Sequence, residues 1–135
     1  MNLNFSTNFL IMPGDCNSNT PLIFGGALFS KMDIAAASCV NQALYGSECN
    51  TAVTHKFEGT FHAPSYLGDI VYIEAVITEM RHKSITIEVK AHKISKPIIG
   101  MSNPQRMLVA TAIFVFVTMK DDKYWNHGLV MENSL

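Results

Sequence analysis

A pair of glycines and one acidic residue are the features of this sequence whose types and spacing first suggest chemistry. Gly25 and Gly26 precede residues 27–44, a segment rich in Ala, Leu, Met and Lys that predicts a helix, and Asp33 lies within it. Glycine lets a ligand approach the backbone closely, and the free N–H groups of a first helical turn carry partial positive charge. Such groups can polarise a carbonyl or bind an oxyanion. The alternative, which the residues leave open, is that the glycines only let the helix pass close to a sheet.

Asp33 is seven positions after Gly26, on the same face of the predicted helix and about 10 Å further along its axis. An acid within a core helix is costly unless it is paired or functional, so we interpret Asp33 as a catalytic carboxylate. The structural alternative is a carboxylate satisfied by Ser30, Lys31 or a strand. Reacting groups must approach within about 3.5 Å, so Gly26 and Asp33 of one chain cannot act on the same carbonyl. If both act on one substrate, Asp33 must come from a second subunit whose helix runs antiparallel beside the first.

The segment before the helix is a polar loop over residues 15–21 that carries two amides, Asn17 and Asn19. An amide can donate to a carbonyl oxygen or orient a water molecule. Asparagine also serves turns well, which is the structural alternative for both residues.

The predicted helix is poorly amphipathic, because its few polar residues fall on more than one side. A helix that is apolar nearly all round is a buried helix, so we predict that a sheet wraps it. Gly46 is the expected stop beyond its C-terminus. The helix is therefore the central element of the fold.

The rest of the chain predicts strands, loops and a tail. Five segments have strand character: residues 4–11, 51–63, 69–80, 84–92 and 107–119. Only three residues separate the third and fourth segments, which predicts an antiparallel hairpin. The fifth is apolar on both faces and should be covered on both, residues 96–105 should form a loop, and residues 120–135 a frayed or loosely docked tail. Long antiparallel strands around one helix predict an α+β fold with a strongly curved sheet, in a single domain with its core at about residues 4–119.

Composition excludes several classes of function. A net charge of −1 gives no basic surface for nucleic acid, and no run reaches the roughly 18 apolar residues of a membrane span. The first fifteen residues lack the Lys or Arg of a secretory signal, and three cysteines without metal-type spacing predict reduced thiols in a cytoplasmic protein. Charged residues make up only 16% of the chain, alongside eight Phe and eight Met, so we expect apolar surface to be buried in a homo-oligomer.

The histidines and the basic residues carry weaker signals. No His has a paired Cys, Glu or His at ligand spacing, so no metal site is expected. A basic group surrounds the predicted hairpin and the following loop, and it is either a solvated face or a site for the phosphates of a nucleotide-bearing substrate. Its members are Arg81, Lys83, Lys90, Lys93, Lys96 and Arg106.

Six short motifs, in this order and spacing, resemble the acyl-CoA thioesterases of the hot-dog fold. They are Met12-Pro13-x-Asp15-x-Asn17, Phe24-Gly25-Gly26, Lys31-Met32-Asp33, Ala52-Val53-Thr54, Phe61-x-x-Pro64 followed by Gly68-Asp69, and Ser84-Ile85-Thr86-Ile87. The resemblance runs over about residues 12–119. The seven-residue step from the second glycine to the acid is its strongest part.

The resemblance implies a five-stranded antiparallel sheet around the central helix, with dimers assembled further into tetramers or hexamers. It implies hydrolysis of an acyl-CoA thioester without a metal or any cofactor, coenzyme A being part of the substrate. Asp33 would activate water or attack the carbonyl, while Asn17 and the N–H near Gly26 bind the thioester oxygen. The acid would come from the partner subunit, in agreement with the distance argument. The further substrate-binding candidates are Phe24, Gly25, Asn19, Thr54, Ser84, Arg81 and Lys83.

The loop before the helix departs from the family pattern. Residues 19–23 contain no Gly and one apparent extra residue, and Pro21 removes a backbone donor, so either Asn17 or Asn19 can face the substrate. A hot-dog enoyl-CoA hydratase or dehydratase is an alternative, since Asp15-x-Asn17 is present, but no His occurs between Asn17 and His55. A non-catalytic acyl-CoA-binding module is another. The sequence does not give the acyl chain length.

Overall fold

One antiparallel sheet and one long helix make up the protein, whose structure is a computed structural model that describes residues 2–94, 99–100 and 102–131. The elements are β1 (Asn4–Leu10), a 3-10 turn (Pro13–Asp15), α1 (Gly25–Ala43), β2 (Thr51–Phe61), β3 (Ile70–Arg81), β4 (Ser84–Ile94), β5 (Arg106–Lys120) and β6 (Lys123–Tyr124). The strand order is β1-β3-β4-β5-β2, and β6 pairs with the end of β5. All pairings are antiparallel. The predicted α+β class is confirmed.

The inner face of the sheet comes from the alternation of β3 and β4. Arg81 pairs with Ser84 across a two-residue turn, as the hairpin spacing predicted. Every second residue of both strands therefore faces α1 and is excluded from solvent. A one-residue slip in the pairing would turn the whole set outward, so burial specifies the register. This set consists of Val71, Ile73, Ala75, Ile77, Ile85, Ile87, Val89 and Ala91.

The helix packs one face on this surface. The buried residues recur every three or four positions: Leu28, Met32, Ala35, Ala36, Cys39, Val40 and Ala43. Ala35 and Ala36 are completely buried, and their small side chains let the helix axis lie close to the strands. The chain leaves the helix through Gly46, whose φ of +90° is in the left-handed region that glycine adopts without strain.

The opposite face of α1 is open to solvent, so the prediction of a helix buried all round is wrong for this chain. Gly26, Ser30, Ile34 and Asn41 lie on it, and Ile34 is 58% exposed. The sheet curves over one side of the helix and leaves the other uncovered. The helix also begins at Gly25 rather than at residue 27, because the carbonyl of Phe24 already accepts the N–H groups of Ala27 and Leu28, one helical turn ahead.

The outer face of β5 and the edge strand β2 are open as well. Ile113 on β5 is 49% exposed, so the predicted cover on both faces is wrong within one chain. On β2, which lies at the edge of the sheet, Val53, Phe57 and Phe61 are 43%, 58% and 57% exposed. An exposed apolar edge strand is a surface for pairing with another chain.

The C-terminal segment is docked and not loosely structured over the residues that are described. The backbone N–H of Trp125 donates to the Thr118 carbonyl at 3.0 Å, and the Thr118 hydroxyl donates to the Trp125 carbonyl at 2.7 Å. His127 is 3% exposed. Residues 132–135 lie outside the described residues, as do 95–98 and 101 of the predicted loop at 96–105. Among the described residues, no helix is long and apolar enough to cross a membrane.

Candidate active site

The start of α1 presents two unpaired backbone donors. The Phe24 carbonyl accepts the N–H groups of Ala27 at 3.0 Å and of Leu28 at 3.2 Å, and no side chain caps the helix. Within residues 2–94, 99–100 and 102–131, the N–H groups of Gly25 and Gly26 have no hydrogen-bond acceptor. Gly26 is exposed and Gly25 half-buried. This pair of donors, at the positive end of the helix dipole, can bind a developing oxyanion.

Space around the glycines distinguishes the two interpretations that the sequence left open. A Cβ atom added to Gly26 would lie 2.8 Å from the ring of Phe24, whereas one added to Gly25 would lie 3.4 Å from the ring of Phe61. The distance at Gly25 is an ordinary van der Waals contact, whereas the distance at Gly26 is a clash. Gly26 therefore makes room for the exposed Phe24 ring over the helix start, and not for the sheet.

The loop before the helix folds back on itself. Cys16 forms an isolated bridge with Ile23, and the N–H of Asn17 donates to the Leu22 carbonyl at 2.9 Å. These pairings place Asn17 beside the strand-like residues that lead directly into α1, while Asn19 lies in the turn at the tip. Both side chains are exposed.

The carboxylate of Asp15, which the hydratase alternative would use, is engaged locally. Its Oδ2 accepts the N–H of Met12 at 2.9 Å, and its backbone carbonyl accepts the N–H of Phe24 at 2.8 Å. Asp15 therefore fixes the turn that leads the chain to the helix.

Asp33 contacts β2. Its Oδ1 accepts a hydrogen bond from the Thr54 hydroxyl at 3.4 Å, so two of the predicted site residues are brought together. Within the described residues, neither Ser30 nor Lys31 bonds to Asp33, and the Lys31 ammonium lies over the ring of Phe9 instead. Asp33 is half-buried and not fully buried as predicted, because it lies beside the open face of the helix.

The helix start and Asp33 lie at opposite ends of the same edge strand. Gly25 lies against Phe61 at the end of β2, and Asp33 contacts Thr54 near its beginning. Between them, the ring of Phe57 packs on Phe29 of the helix with centroids 4.7 Å apart. One chain therefore carries two separate half-sites along one exposed strand.

A cavity of about 300 Å³ opens next to the helix start. Its lining is mostly apolar: Leu22, Ile23, Gly25, Leu28, Phe61, His62, Ala63, Pro64 and Ser65. Behind this wall, Lys93 is 8% exposed and its ammonium donates to the Pro64 carbonyl at 2.7 Å. The sequence groups Lys93 with basic residues that form either a solvated face or a phosphate site, whereas the structure places it in the interior. Its position, two residues after the inward-facing Ala91, was the signal that it points inward.

The basic residues of the β3–β4 turn lie away from the helix start. Ser84 pairs with Val117, which pairs with Val53 of β2, so the turn is at the Asp33 end of the sheet. Arg81 is 77% exposed in its side chain and its Nε donates to Glu79 at 2.8 Å, while Lys83 is exposed. The structure therefore does not bring Ser84, Arg81 or Lys83 together with Gly25 and Gly26 of the same chain. In the described part of the chain, no cluster of three His, Cys, Asp or Glu residues is arranged to hold a metal ion.

Comparison with known proteins gives a consistent family. The sequence model of the Thioesterase superfamily matches residues 21–97, more than half of the chain. The acyl-CoA thioester hydrolase YciA of Salmonella typhimurium is 37% identical over 116 residues, which cover 84% of this chain and 80% of that protein. YciA of Escherichia coli K12 is also 37% identical, over 113 residues covering 82% of this chain and 79% of that protein.

Solved structures agree with the sequence relatives. A hexameric thioesterase of Yersinia pestis is similar with a TM-score of 0.73 and 31% identity, covering 93% of this chain and 94% of that one. A hotdog-fold thioesterase of Campylobacter jejuni, also hexameric, shares the fold with a TM-score of 0.75 and 24% identity, covering 90% of this chain and 86% of that one. The chain therefore belongs to the thioesterase superfamily and has its hot-dog fold.

Proposed function

We propose that this protein is an acyl-CoA thioesterase, which hydrolyses the thioester to a free carboxylic acid and coenzyme A. One observation carries the proposal: two unpaired N–H groups at Gly25–Gly26 and a carboxylate, Asp33, lie along the same open edge strand. The names of the curated relatives, acyl-CoA thioester hydrolases, support the same substrate.

In the proposed reaction, the thioester oxygen lies against the helix start. Asp33 takes a proton from a water molecule, whose oxygen attacks the carbonyl carbon. The negative charge that develops on the thioester oxygen is stabilised by the Gly26 N–H, with the Asn17 amide as a second donor. The intermediate then collapses, the C–S bond breaks, and the coenzyme A thiolate takes up the proton. No cofactor enters this scheme.

A dimer is the minimal active unit in this proposal. Residues Gly26 and Asp33 of one helix are about 10 Å apart along its axis, too far to act on one carbonyl. Suppose that β2 pairs antiparallel with β2 of a second copy, about a two-fold axis between Phe57 and Glu58. Thr54 of one chain then lies opposite Phe61 of the other, because their numbers are equidistant from the axis. This pairing brings the acid half-site of each chain towards the helix start of its partner.

The remaining open surfaces support assembly beyond the dimer. Ile34 on the helix and Ile113 on the outer face of β5 are about half exposed in the single chain. We propose a tetramer or hexamer, and the hexameric state of the Yersinia pestis relative favours the latter. The three free cysteines fit the cytoplasmic location that we propose.

The coenzyme A moiety has its own candidate contacts. Arg81 and Lys83 offer charge to its phosphates, and Ser84 a hydroxyl, at the Asp33 end of the sheet. The exposed ring of Phe24 covers the helix start, where it would shield the thioester from water. The apolar cavity beside Gly25 is the candidate position for the acyl chain.

The direct test is thiol release from acyl-CoAs of increasing length, from acetyl to palmitoyl. Wild-type protein should release thiol from at least part of this series, and Asp33→Asn should lose the activity while Asn41→Ala, on the exposed face of the helix, should keep it. Full release by Asp33→Asn would refute the role of the acid. Hydration of crotonyl-CoA, followed by its absorbance, would instead indicate the hydratase. Thermal stabilisation by acyl-CoA without turnover would indicate a binding module.

A further inference from the structure

His127 in the C-terminal segment has both ring nitrogens engaged and is buried from solvent. Its Nε2 contacts the carbonyl oxygen of Arg81, and its Nδ1 accepts the N–H of Leu129 at 2.9 Å. A carbonyl oxygen can only accept and an N–H can only donate, so Nε2 carries the proton and Nδ1 does not. The two contacts together therefore define the neutral ring with its proton on Nε2.

The backbone of His127 is also hydrogen-bonded at both its N–H and its carbonyl. Its N–H donates to the carbonyl of His82 at 3.0 Å, and its carbonyl accepts the hydroxyl of Ser47 at 2.6 Å. His127 thus connects the loop that follows α1 to the β3–β4 turn. Two successive carbonyls, those of Arg81 at the end of β3 and of His82 in the turn, accept hydrogen bonds from this one residue.

The turn that His127 holds is the basic turn assigned above to the coenzyme A phosphates. Arg81 ends β3, His82 and Lys83 make up the tip, and the Lys83 carbonyl accepts the Thr118 N–H at 2.9 Å. The side chain of Arg81 points to solvent, so only its backbone is restrained by the C-terminal segment. A phosphate site made of two flexible cationic side chains gains affinity when the backbone beneath them is fixed.

We propose that His127 is a positioning residue that fixes the β3–β4 turn for binding of the coenzyme A phosphates. This inference rests on the proposed function. Without the imidazole, the Leu129 N–H and the Arg81 carbonyl both lose a hydrogen-bond partner, so docking of the segment weakens.

The charged groups on the elements packed around His127 do not replace this contact. The charged and titratable groups at the β3–β4 turn are Arg81, His82 and Lys83. Glu48, in the loop after α1, accepts the Trp125 indole N–H at 3.1 Å and lies 4.0 Å from the Lys120 ammonium. Glu79 on β3 is paired with Arg81.

A conformational test is independent of any enzyme activity. Trp125 is the only tryptophan in the sequence and belongs to the same docked segment, so its fluorescence reports docking. We expect the emission of His127→Ala to lie closer to that of solvent-exposed tryptophan than the wild-type emission does, because the segment loses its ring contacts with the turn and with Leu129. His127→Gln, which can donate and accept, should keep an emission close to that of the wild type. The matched control His92→Ala, on the outer face of β4, should emit as the wild type does.

The kinetic test compares an acyl-CoA with the corresponding acyl-pantetheine, which lacks the nucleotide phosphates. His127→Ala and the milder Ser47→Ala should raise KM for acyl-CoA, by about tenfold for the former, which corresponds to ~1.4 kcal/mol of lost binding. Neither should change kcat, or KM for acyl-pantetheine, by more than about twofold.

Each outcome supports or overturns the inference. Equal increases of KM for both substrates, or a loss of kcat alone, would show a structural role and refute it. Trp125 emission in His127→Ala equal to that of the wild type would refute docking of the segment by His127. If the protein lacked thioesterase activity but Trp125 responded as expected, the docking by His127 would stand and the role in substrate binding would fall with the proposed function.

Discussion

The hydroxyl of Thr54 on β2 donates to the carboxylate of Asp33 on α1 at 3.4 Å. This contact ties the candidate acid to the edge strand and directs it away from the sheet interior. Threonine has a stiff χ1, so its hydroxyl holds one position against the helix. The acid therefore faces the surface where a second subunit would bring its helix start.

Replacement of Thr54 tests this orientation. Thr54→Val keeps the shape but removes the donor, and we expect kcat to fall about fivefold because the contact is long and worth about 1 kcal/mol. Thr54→Ser should retain most of the activity. The measurement is steady-state thiol release together with the melting temperature. A fall in stability with unchanged kcat would assign Thr54 a structural role only.

Gly26 allows the oxyanion donor to be separated from the space for Phe24. Gly26→Pro removes the N–H, and we expect a loss of about 10²–10³ in kcat, as for other oxyanion donors. Gly26→Ala keeps the N–H but forces the Phe24 ring to move from a 2.8 Å approach, so its effect should be much smaller. The rate of thiol release at a saturating concentration of acyl-CoA would distinguish the two variants. Equal losses in both variants would mean that the space, and not the N–H, matters.

Phe57 tests the edge strand as a subunit interface. Its ring is 58% exposed in one chain and lies midway along β2. Phe57→Lys should dissociate the oligomer in sedimentation experiments and abolish thiol release, because each site would lose half of its groups. Tyr45→Lys is the control, since Tyr45 is 94% exposed beyond α1. A monomeric Phe57→Lys protein with full activity would contradict a site shared by two chains.

Cys39 predicts a pH dependence of stability. Burial raises the pKa of its thiol from 9.0 to about 11. The unfolded chain loses this proton near pH 9 and the folded chain retains it, so stability is complete below pH 9 and falls as the pH rises towards 11. The free energy of unfolding should fall more steeply in the wild type than in Cys39→Ala, by up to about 1.4 kcal/mol per pH unit. Cys16→Ala should keep the wild-type slope, and equal slopes in all three proteins would contradict the assignment.

Local patterns predicted the elements well. The alternation that ends in Val89 and Ala91 defined the inner face of β4, and Gly46 marked the helix end, because both depend only on neighbouring residues. The family motifs indicated Asp33 and Thr54 as separate site residues, and their contact could not be predicted from spacing, since 21 residues separate them.

Long-range packing set the features that the sequence did not predict. Ile34 is exposed because the sheet covers one side of α1, and helical composition alone does not record which side remains open. The C-terminal segment docks because His127 meets Arg81 and His82, residues about 45 positions earlier with no periodic relation to it. Lys93 is buried and its ammonium donates to the Pro64 carbonyl. This position could not be predicted from its membership of a group of basic residues.

In the proposed dimer, each active site combines the helix start of one subunit with Asp33 of another. Co-expression of Asp33→Ala with Gly26→Pro tests it, because each mixed dimer would contain one intact site and one doubly altered site. Random pairing should restore about 25% of the wild-type thiol release, since half of the dimers are mixed and half of their sites are intact. Co-expression of Asp33→Ala with Asp33→Asn, which cannot complement, should restore none. Mixed dimers of Asp33→Ala and Gly26→Pro with no activity above the separate variants would contradict the shared site.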